Sequence, residues 1–295
     1  MTGPVPPAAS DAAARFEPLR RRLVGLAYRM LGSRAEAEDI VQDAYLRWHG
    51  TDREAVEDAG AFLKRVVTRL CLDRLKAART RRETYVGPWL PEPVLAEDVL
   101  IDAGPSGIAH DVGVALMLAL ERLSPLERAA FLLHDVFELG FDEVARILDR
   151  DPSACRQLAV RARDHVAAAR PRFTVSESEG RRIADAFLAA SRGGDLAALQ
   201  SMLAADAVLH TDGGGKRSSA LNRVFGGDKI ARFFAGLARK NRPPSAVRPA
   251  TINGLPGFVT IEADGVPQTT ALEIGPAGIT AVYIVRNPDK LGHIR

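Results

Sequence analysis

Cysteine is nearly absent. Cys71 and Cys155 are the only two; both fall on apolar faces of helical patterns and neither has a second Cys or a His at ligand spacing, which excludes a disulfide framework and a zinc site. Long apolar runs are missing as well: the most apolar stretch, Val112 to Leu120, falls far short of the ~20 residues that a bilayer crossing requires. The opening residues, Met1 to Ser10, are rich in Pro and Ala but have neither the basic start nor the apolar middle of a secretory signal. No membrane partner is expected, and a reducing, cytoplasmic setting is. Net charge is also small, +3 over 295 residues, so nucleic-acid binding has to be argued from local patches. Charge is segregated along the chain: residues 1–170 hold 24 basic and 26 acidic side chains, residues 171–295 hold 16 and 11.

What is present is a pair of neighbouring amphipathic segments of opposite charge between Ser33 and Arg82. In the first, Ala37, Ile40, Val41, Ala44 and Trp48 recur at helical spacing, with Glu36, Asp39, Gln42 and Asp43 on the complementary side. Ser33 and Glu36 have the Ser-x-x-Glu spacing of a capping box, which sets its start. In the second, Phe62 to Arg82, the cations Lys64, Arg65, Arg69, Arg74, Lys76, Arg79, Arg81 and Arg82 are interrupted by one acid, Asp73. Phe62, Val66, Val67, Leu70, Cys71 and Leu75 form its apolar face. Positive charge concentrated on one helix suits a phosphate backbone, although a solvated cationic face has the same pattern, and Asp39 and Asp43 are also readable as ordinary surface acids.

The chain divides by composition. A first helix, about Phe16 to Leu31, completes an all-helical domain over residues 10–84. Residues 85–107 are turn-rich, with Pro88, Pro91, Pro93, Gly104 and Pro105, and read as an extended connector; about 20 residues at ~3.3 Å each reach over ~60 Å. A second helical domain, residues 108–170, begins with a helix at about Asp111 to Leu123. Ser124-Pro125-Leu126-Glu127 then caps the next, which runs to Leu139-Gly140. A short helix, Asp142 to Leu148, a turn at Asp149-Arg150 and a helix from Asp151-Pro152 to about Ala169 make a helix-turn-helix. In its second helix, Cys155, Leu158, Ala159, Ala162 and Val166 face inward, and Ser153, Arg156, Gln157, Val160, Arg161 and Asp164 face out. Arg and Gln near such a start can pair with base edges in the major groove; a helical hairpin with a wet polar face is the alternative. Residues 172–295 read as α+β, with helices at Ser176 to Ser191, from Asp195, and at Asp228 to Lys240. Strands follow at Ala246 to Ile252, Phe258 to Ala263, Gln268 to Ile274 and Ile279 to Arg286, with an earlier one at Ala207 to Thr211.

Three motifs lie outside these patterns. Asp212-Gly213-Gly214-Gly215-Lys216 lacks the spacing and the Lys-Ser/Thr ending of a phosphate loop, and reads better as a glycine turn that admits another backbone. Trp89-Leu90-Pro91-Glu92-Pro93 presents a Trp on a stiff segment suited to docking. Asn287-Pro288-Asp289-Lys290-Leu291 stands near the end. His210, Asp212 and Asp264 are candidates for proton transfer, but no pattern pairs them with partners.

Residues 14–170 resemble the extracytoplasmic-function sigma factors of bacterial RNA polymerase, on the stretches Ala37-Glu38-Asp39-Ile40-Val41-Gln42-Asp43-Ala44-Tyr45-Leu46 and Leu123-Ser124-Pro125-Leu126-Glu127-Arg128. The resemblance implies that Asp39, Gln42, Asp43 and Leu46 dock on the clamp helices of core polymerase. It further implies that Arg69, Arg74, Lys76, Arg79 and Arg82 recognise and open the minus-ten promoter element, and that Ser153, Arg156, Gln157 and Arg161 read the minus-thirty-five element. The connector, glycine and tail motifs resemble signatures of the subgroup fused to a SnoaL-like domain, the sigma-J type. That implies a cone-shaped C-terminal domain that takes the place of a separate anti-sigma protein, holding the two DNA-binding domains through contacts with the connector and tail, so that the residues of these three motifs would be interdomain regulatory contacts. The expected function is promoter-specific initiation without catalysis, cofactor or metal, with an unknown small ligand possible in the SnoaL-like pocket. A ligand-sensing helix-turn-helix regulator independent of polymerase is the alternative.

Overall fold

The fold follows from where each helix finds a cap and a partner. The computed structural model describes residues 7–83, 85–97, 113–167, 175–240 and 242–294, the side chains of 7–10 and 78–83 excepted. Among these, the chain forms two compact units, one drawn from residues 7–82 and 116–167, the other from residues 83–97, 113–115 and 175–294.

In the first unit, α1 spans Pro7–Leu31, α2 Arg34–His49 and α3 Ala59–Glu83. Helix α1 starts well before Phe16 and runs through the exposed Pro18. The early turns are fastened because Ala12 and Phe16 are buried and the Trp48 indole donates to the Ala12 carbonyl at 3.0 Å. The Ser33 side chain caps α2 by accepting from the Glu36 N–H, and all five apolar positions of its stripe are buried. In α3 the fully buried stripe is Leu63, Val67, Cys71 and Leu75, while Phe62, Val66 and Leu70 are only half-buried. Leu63 takes the place that periodicity assigned to Phe62: it stands on one i, i+4 line with Val67, Cys71 and Leu75, and Phe62, Val66 and Leu70 flank that line.

Helix α4 is Val114–Glu121, and α5, Pro125–Phe131, opens on a complete Ser124/Glu127 capping box. The expected continuation to Leu139-Gly140 is instead a π-helical turn, Leu132–Val136, closed by Glu138 at φ 59°. The wider turn brings Asp135 to Arg163 at 2.6 Å and seats the His134 ring on Phe141 at 3.9 Å. Helices α6, Phe141–Leu148, and α7, Pro152–Ala167, make the helix-turn-helix, with Asp149 left-handed between them. Arg128, which is 2% exposed, donates to the carbonyls of Leu120 and Met30 and to Glu121. A buried guanidinium thus satisfies carbonyls at two helix ends that have no further intrahelical donor.

The second unit places helices before its sheet. Helices α8, Glu177–Gly193, and α9, Leu196–Met202, are N-capped by Ser176 and Asp195, and α10 is Gly227–Ala238. The strands are β1 Leu203–Asp212, β2 Val224–Phe225, β3 Ala246–Ile252, β4 Leu255–Ile261, β5 Pro267–Gly275 and β6 Gly278–Val285. They form one sheet in the order β2-β1-β6-β5-β4-β3, antiparallel except for the parallel pair β1–β6. Strand β4 begins three residues ahead of expectation because Asn253-Gly254, at φ 48° and 75°, turns β3 directly into β4. Such a pair of positive-φ residues is the preferred two-residue hairpin. The α+β expectation holds for this unit. Among the described residues, no helix is long and apolar enough to cross a membrane.

Side-chain alternation gives the sheet two faces with different tasks. Phe258, Leu272, Val282, Ile284 and Leu209 join the core under α8, α9 and α10. Register then sends the intervening residues, Asp212, Val285 and Thr269 among them, to the other face.

Candidate functional site

The far face of the sheet carries the connector. Residues 85–97 do not hang as a free spacer; they lie along the sheet within the second unit. The Val94 N–H donates to Asn253 Oδ1, the Asn253 N–H returns to the Val94 carbonyl, the Ala96 N–H bonds to the Thr251 carbonyl, and Leu95 forms a bridge to Ile252. Leu90, Pro91 and Pro93 pack against Thr269, Ala271, Tyr283 and Val285. Prolines fit here because they leave no N–H without a partner. Glu92 is buried with them.

The centre of this contact is Asp212, fully buried at the end of β1. Its carboxylate accepts from the Tyr85 hydroxyl at 2.6 Å, the Leu90 N–H at 2.8 Å and Lys290 Nζ at 2.8 Å. Lys290 also donates to the Leu90 carbonyl, and its ammonium lies 4.3 Å from the Trp89 ring centre and 5.0 Å from that of Tyr85. Trp89, half-buried, thus covers a buried cation with its π face. Burial, and then the hydrogen bond to Asp212, push the Tyr85 phenol above its ordinary pKa, so it stays a donor. A carboxylate with three donors and an ammonium with two acceptors beside aromatic rings meets the condition under which a buried pair is tolerated.

The tail and the glycine loop complete the clasp. Asn287 caps a 3-10 turn, Pro288–Lys290, that brings Lys290 inward, and Asn287 Nδ2 donates to Tyr85 Oη at 2.9 Å. The N–H groups of Arg286 and Asn287 both bond to the Asp212 carbonyl. Gly214, at φ 59°, leaves the space in which Asn287 sits: a Cβ there would lie 2.2 Å from Asn287 Nδ2. What Gly214 admits is therefore a side chain, whereas the close backbone approach expected of this turn is found at Gly213. At Gly215 the neighbour is Val86, and at Gly213 it is the loop's own Arg217 carbonyl. Lys216 pairs with Asp289 at 2.7 Å, and Leu291 is buried behind them. Tyr85, Asn253 and His293, which meets the Pro93 carbonyl, belong to this site and were not singled out from the sequence. Asn253 had a signal, its Asn-Gly pair; Tyr85 and His293 had only their adjacency to motifs.

Opposite this face is a cavity of about 460 Å³. The cross-strand row Thr211, Ile284, Thr270 and Phe258 forms its floor, and Phe187, Phe233, Phe234 and Leu237 of α8 and α10 its wall. His210 points away from it, against the Tyr283 ring at 5.1 Å, and Asp264 pairs with Arg217 at 2.6 Å. These two and Asp212 are not brought together around the cavity.

In the helical unit the outward residues stand where expected. Asp39, Gln42, Asp43 and Leu46 are exposed on one side of α2, Leu46 by 59%. On α3, Arg69 and Lys76 are exposed, Lys76 beside Asp73, and Arg74 is half-buried with Glu36 at 3.9 Å. The side chains of Arg79 and Arg82 lie outside the described residues. On α7, Ser153, Arg156, Gln157 and Arg161 are exposed; Arg156 lies 5.5 Å from the Phe141 ring centre and Arg161 is tied to Glu127 at 2.8 Å. Both cysteines are buried thiols, and burial raises the pKa of each. Among the described residues no group of His, Cys, Asp or Glu is arranged to hold a metal.

Comparison with known proteins agrees with this layout. Residues 15–81 match the family model Sigma-70 region 2, and residues 113–166 match Sigma-70, region 4. The ECF RNA polymerase sigma factor SigJ of Mycobacterium tuberculosis is 39% identical over 94% of this chain and 92% of its own length. The probable ECF RNA polymerase sigma factor SigI of the same species is 31% identical over 94% and 93%. The crystal structure of SigJ superposes with a TM-score of 0.76 at 38% identity, covering 95% of this chain and 98% of that one. With two sigma regions on helical domains and a relative this similar across nearly its whole length, the chain belongs to the extracytoplasmic-function sigma factors of RNA polymerase.

Proposed function

We propose that this sigma factor selects promoters through two separate surfaces and that its own C-terminal domain sets its output by holding the connector. Residues 10–84 and 108–170 act as the DNA- and polymerase-binding domains, 85–107 as their connector and 172–295 as the regulator. The exposed acids Asp39 and Asp43, with Gln42 and Leu46, dock on the clamp helices of core polymerase. Arg69, Arg74, Lys76, Arg79 and Arg82 track and open the minus-ten element, where bases leaving the stack are captured and cations follow the phosphates. Ser153, Arg156, Gln157 and Arg161 read the minus-thirty-five element in the major groove. No cofactor enters this scheme, and the cytoplasm is its setting.

One observation carries the regulatory part: Asp212 and Lys290 are buried against the connector's own backbone at Leu90. A domain whose buried ion pair is satisfied by the connector holds it by a contact that is expensive to leave half made. The test is run-off transcription with purified core polymerase, comparing the intact chain with Lys290→Met combined with Asp212→Asn, which removes both charges together. The expected result is a change in output of several fold with polymerase affinity retained. Equal output from the two proteins overturns control through the clasp.

A further inference from the structure

The cavity on the helix-covered face has an uneven chemistry. Half of its lining is aromatic or aliphatic, and among the described residues Arg192, Arg242 and Arg286 line it with a single carboxylate, Glu262. That carboxylate is already engaged, accepting from Arg192 at 2.9 Å and from the Thr260 hydroxyl at 2.8 Å. The next acid, Asp264, is held by Arg217. Among the described residues, Arg286 is therefore left without a carboxylate at ion-pair distance. One of its amino groups donates to the Ser218 carbonyl, and among the described residues its Nε is buried with no acceptor. Burial lowers the proton affinity of this guanidinium; the nearby carboxylates of Glu262 and Asp264 oppose that through space, while Arg217 and Arg192 add to it. A buried N–H of a cation without an acceptor is costly to keep, and a planar carboxylate is the partner that a guanidinium fork fits best.

We infer that the cavity binds an amphipathic organic acid, its carboxylate on Arg286 and its aromatic or aliphatic body among Phe187, Phe233, Phe234 and Phe258. The volume is in the range of small-molecule sites, ~300–1,000 Å³, and apolar lining with a few placed polar groups is their usual make-up. An inorganic anion would leave the phenylalanine wall unused, and a neutral apolar molecule would leave the guanidinium without a counter-charge at ion-pair distance. The inference concerns binding alone and stands apart from the transcriptional reading.

The test is calorimetric titration of the full chain with naphthalene-2-carboxylate, 4-phenylbutyrate and decanoate, each beside its primary amide. At least one acid is expected to bind ten-fold or more tightly than its amide. Arg286→Met should remove that preference, leaving acid and amide equal, whereas Arg286→Lys should retain it. Circular dichroism of both variants checks that they fold. No binding by any of the acids, equal binding of acid and amide by the unaltered protein, or an undiminished preference in folded Arg286→Met each overturns the inference.

Discussion

The two units use the same kinds of charged side chain in opposite ways. On α2, Asp39 and Asp43 stand in solvent beside an exposed Leu46; at the end of β1, Asp212 is fully buried with Lys290 8% exposed. Exposed charges contribute little to folding, because water solvates them almost as well in either state. They are left available to an outside partner. The buried pair has the reverse character: its partners are internal, its geometry is set by several hydrogen bonds, and removing one member leaves the other stranded. Exposed charge, proposed above to serve a partner, is therefore separable from charge that holds the connector, and substitution distinguishes the two.

The largest effect is expected from Asp212→Ala, which strips Lys290 of its counter-charge and the Leu90 N–H of its acceptor. A loss of ~3–5 kcal/mol in the stability of the connector contact is expected, visible as a lowered thermal midpoint and as new proteolytic cleavage within residues 85–97. An unchanged cleavage pattern would put the buried pair in the same class as the exposed acids. Gly214→Ala should follow with ~1–2 kcal/mol from the left-handed backbone alone, plus displacement of Asn287, read by the same two measurements. The smallest effect should come from Asp39→Ala with Asp43→Ala, which is expected to shift stability by no more than ~0.5 kcal/mol. The same double variant should weaken binding to core polymerase at least ten-fold in a pull-down titration, and full binding would remove these acids from the docking role.

Much of the helical unit was readable because its determinants are local. The Ser33 and Ser124 caps, the stripe from Ala37 to Trp48 and the inward face of α7 depend on residues a turn or two apart, and the structure shows each of them. The π-helical turn at Leu132–Val136 was not readable, since its composition is that of an ordinary helix and the Asp135–Arg163 contact that accompanies it is made only by folding. In the second unit, the motifs around Trp89, Gly214 and Asn287 were read as belonging together, with connector and tail meeting the C-terminal domain, but the contacts by which they meet were not legible. Tyr85, Asp212 and Asn287 converge only through the parallel pairing of β1 with β6, strands separated by most of the domain. The two residues of β2 are too few to show any period. Arg286, at a strand end, carries no sequence signal that distinguishes a cavity wall from open solvent.

The alternation along β1 and β6 has an evolutionary consequence. Thr211 and Arg286 belong to the cavity, whereas Asp212 and Asn287, one position further on, belong to the connector's seat. Lineages can therefore change the cavity lining at every second residue while the intervening ones preserve the hold on the connector, so diversification on one side of the sheet need not be matched by change on the other.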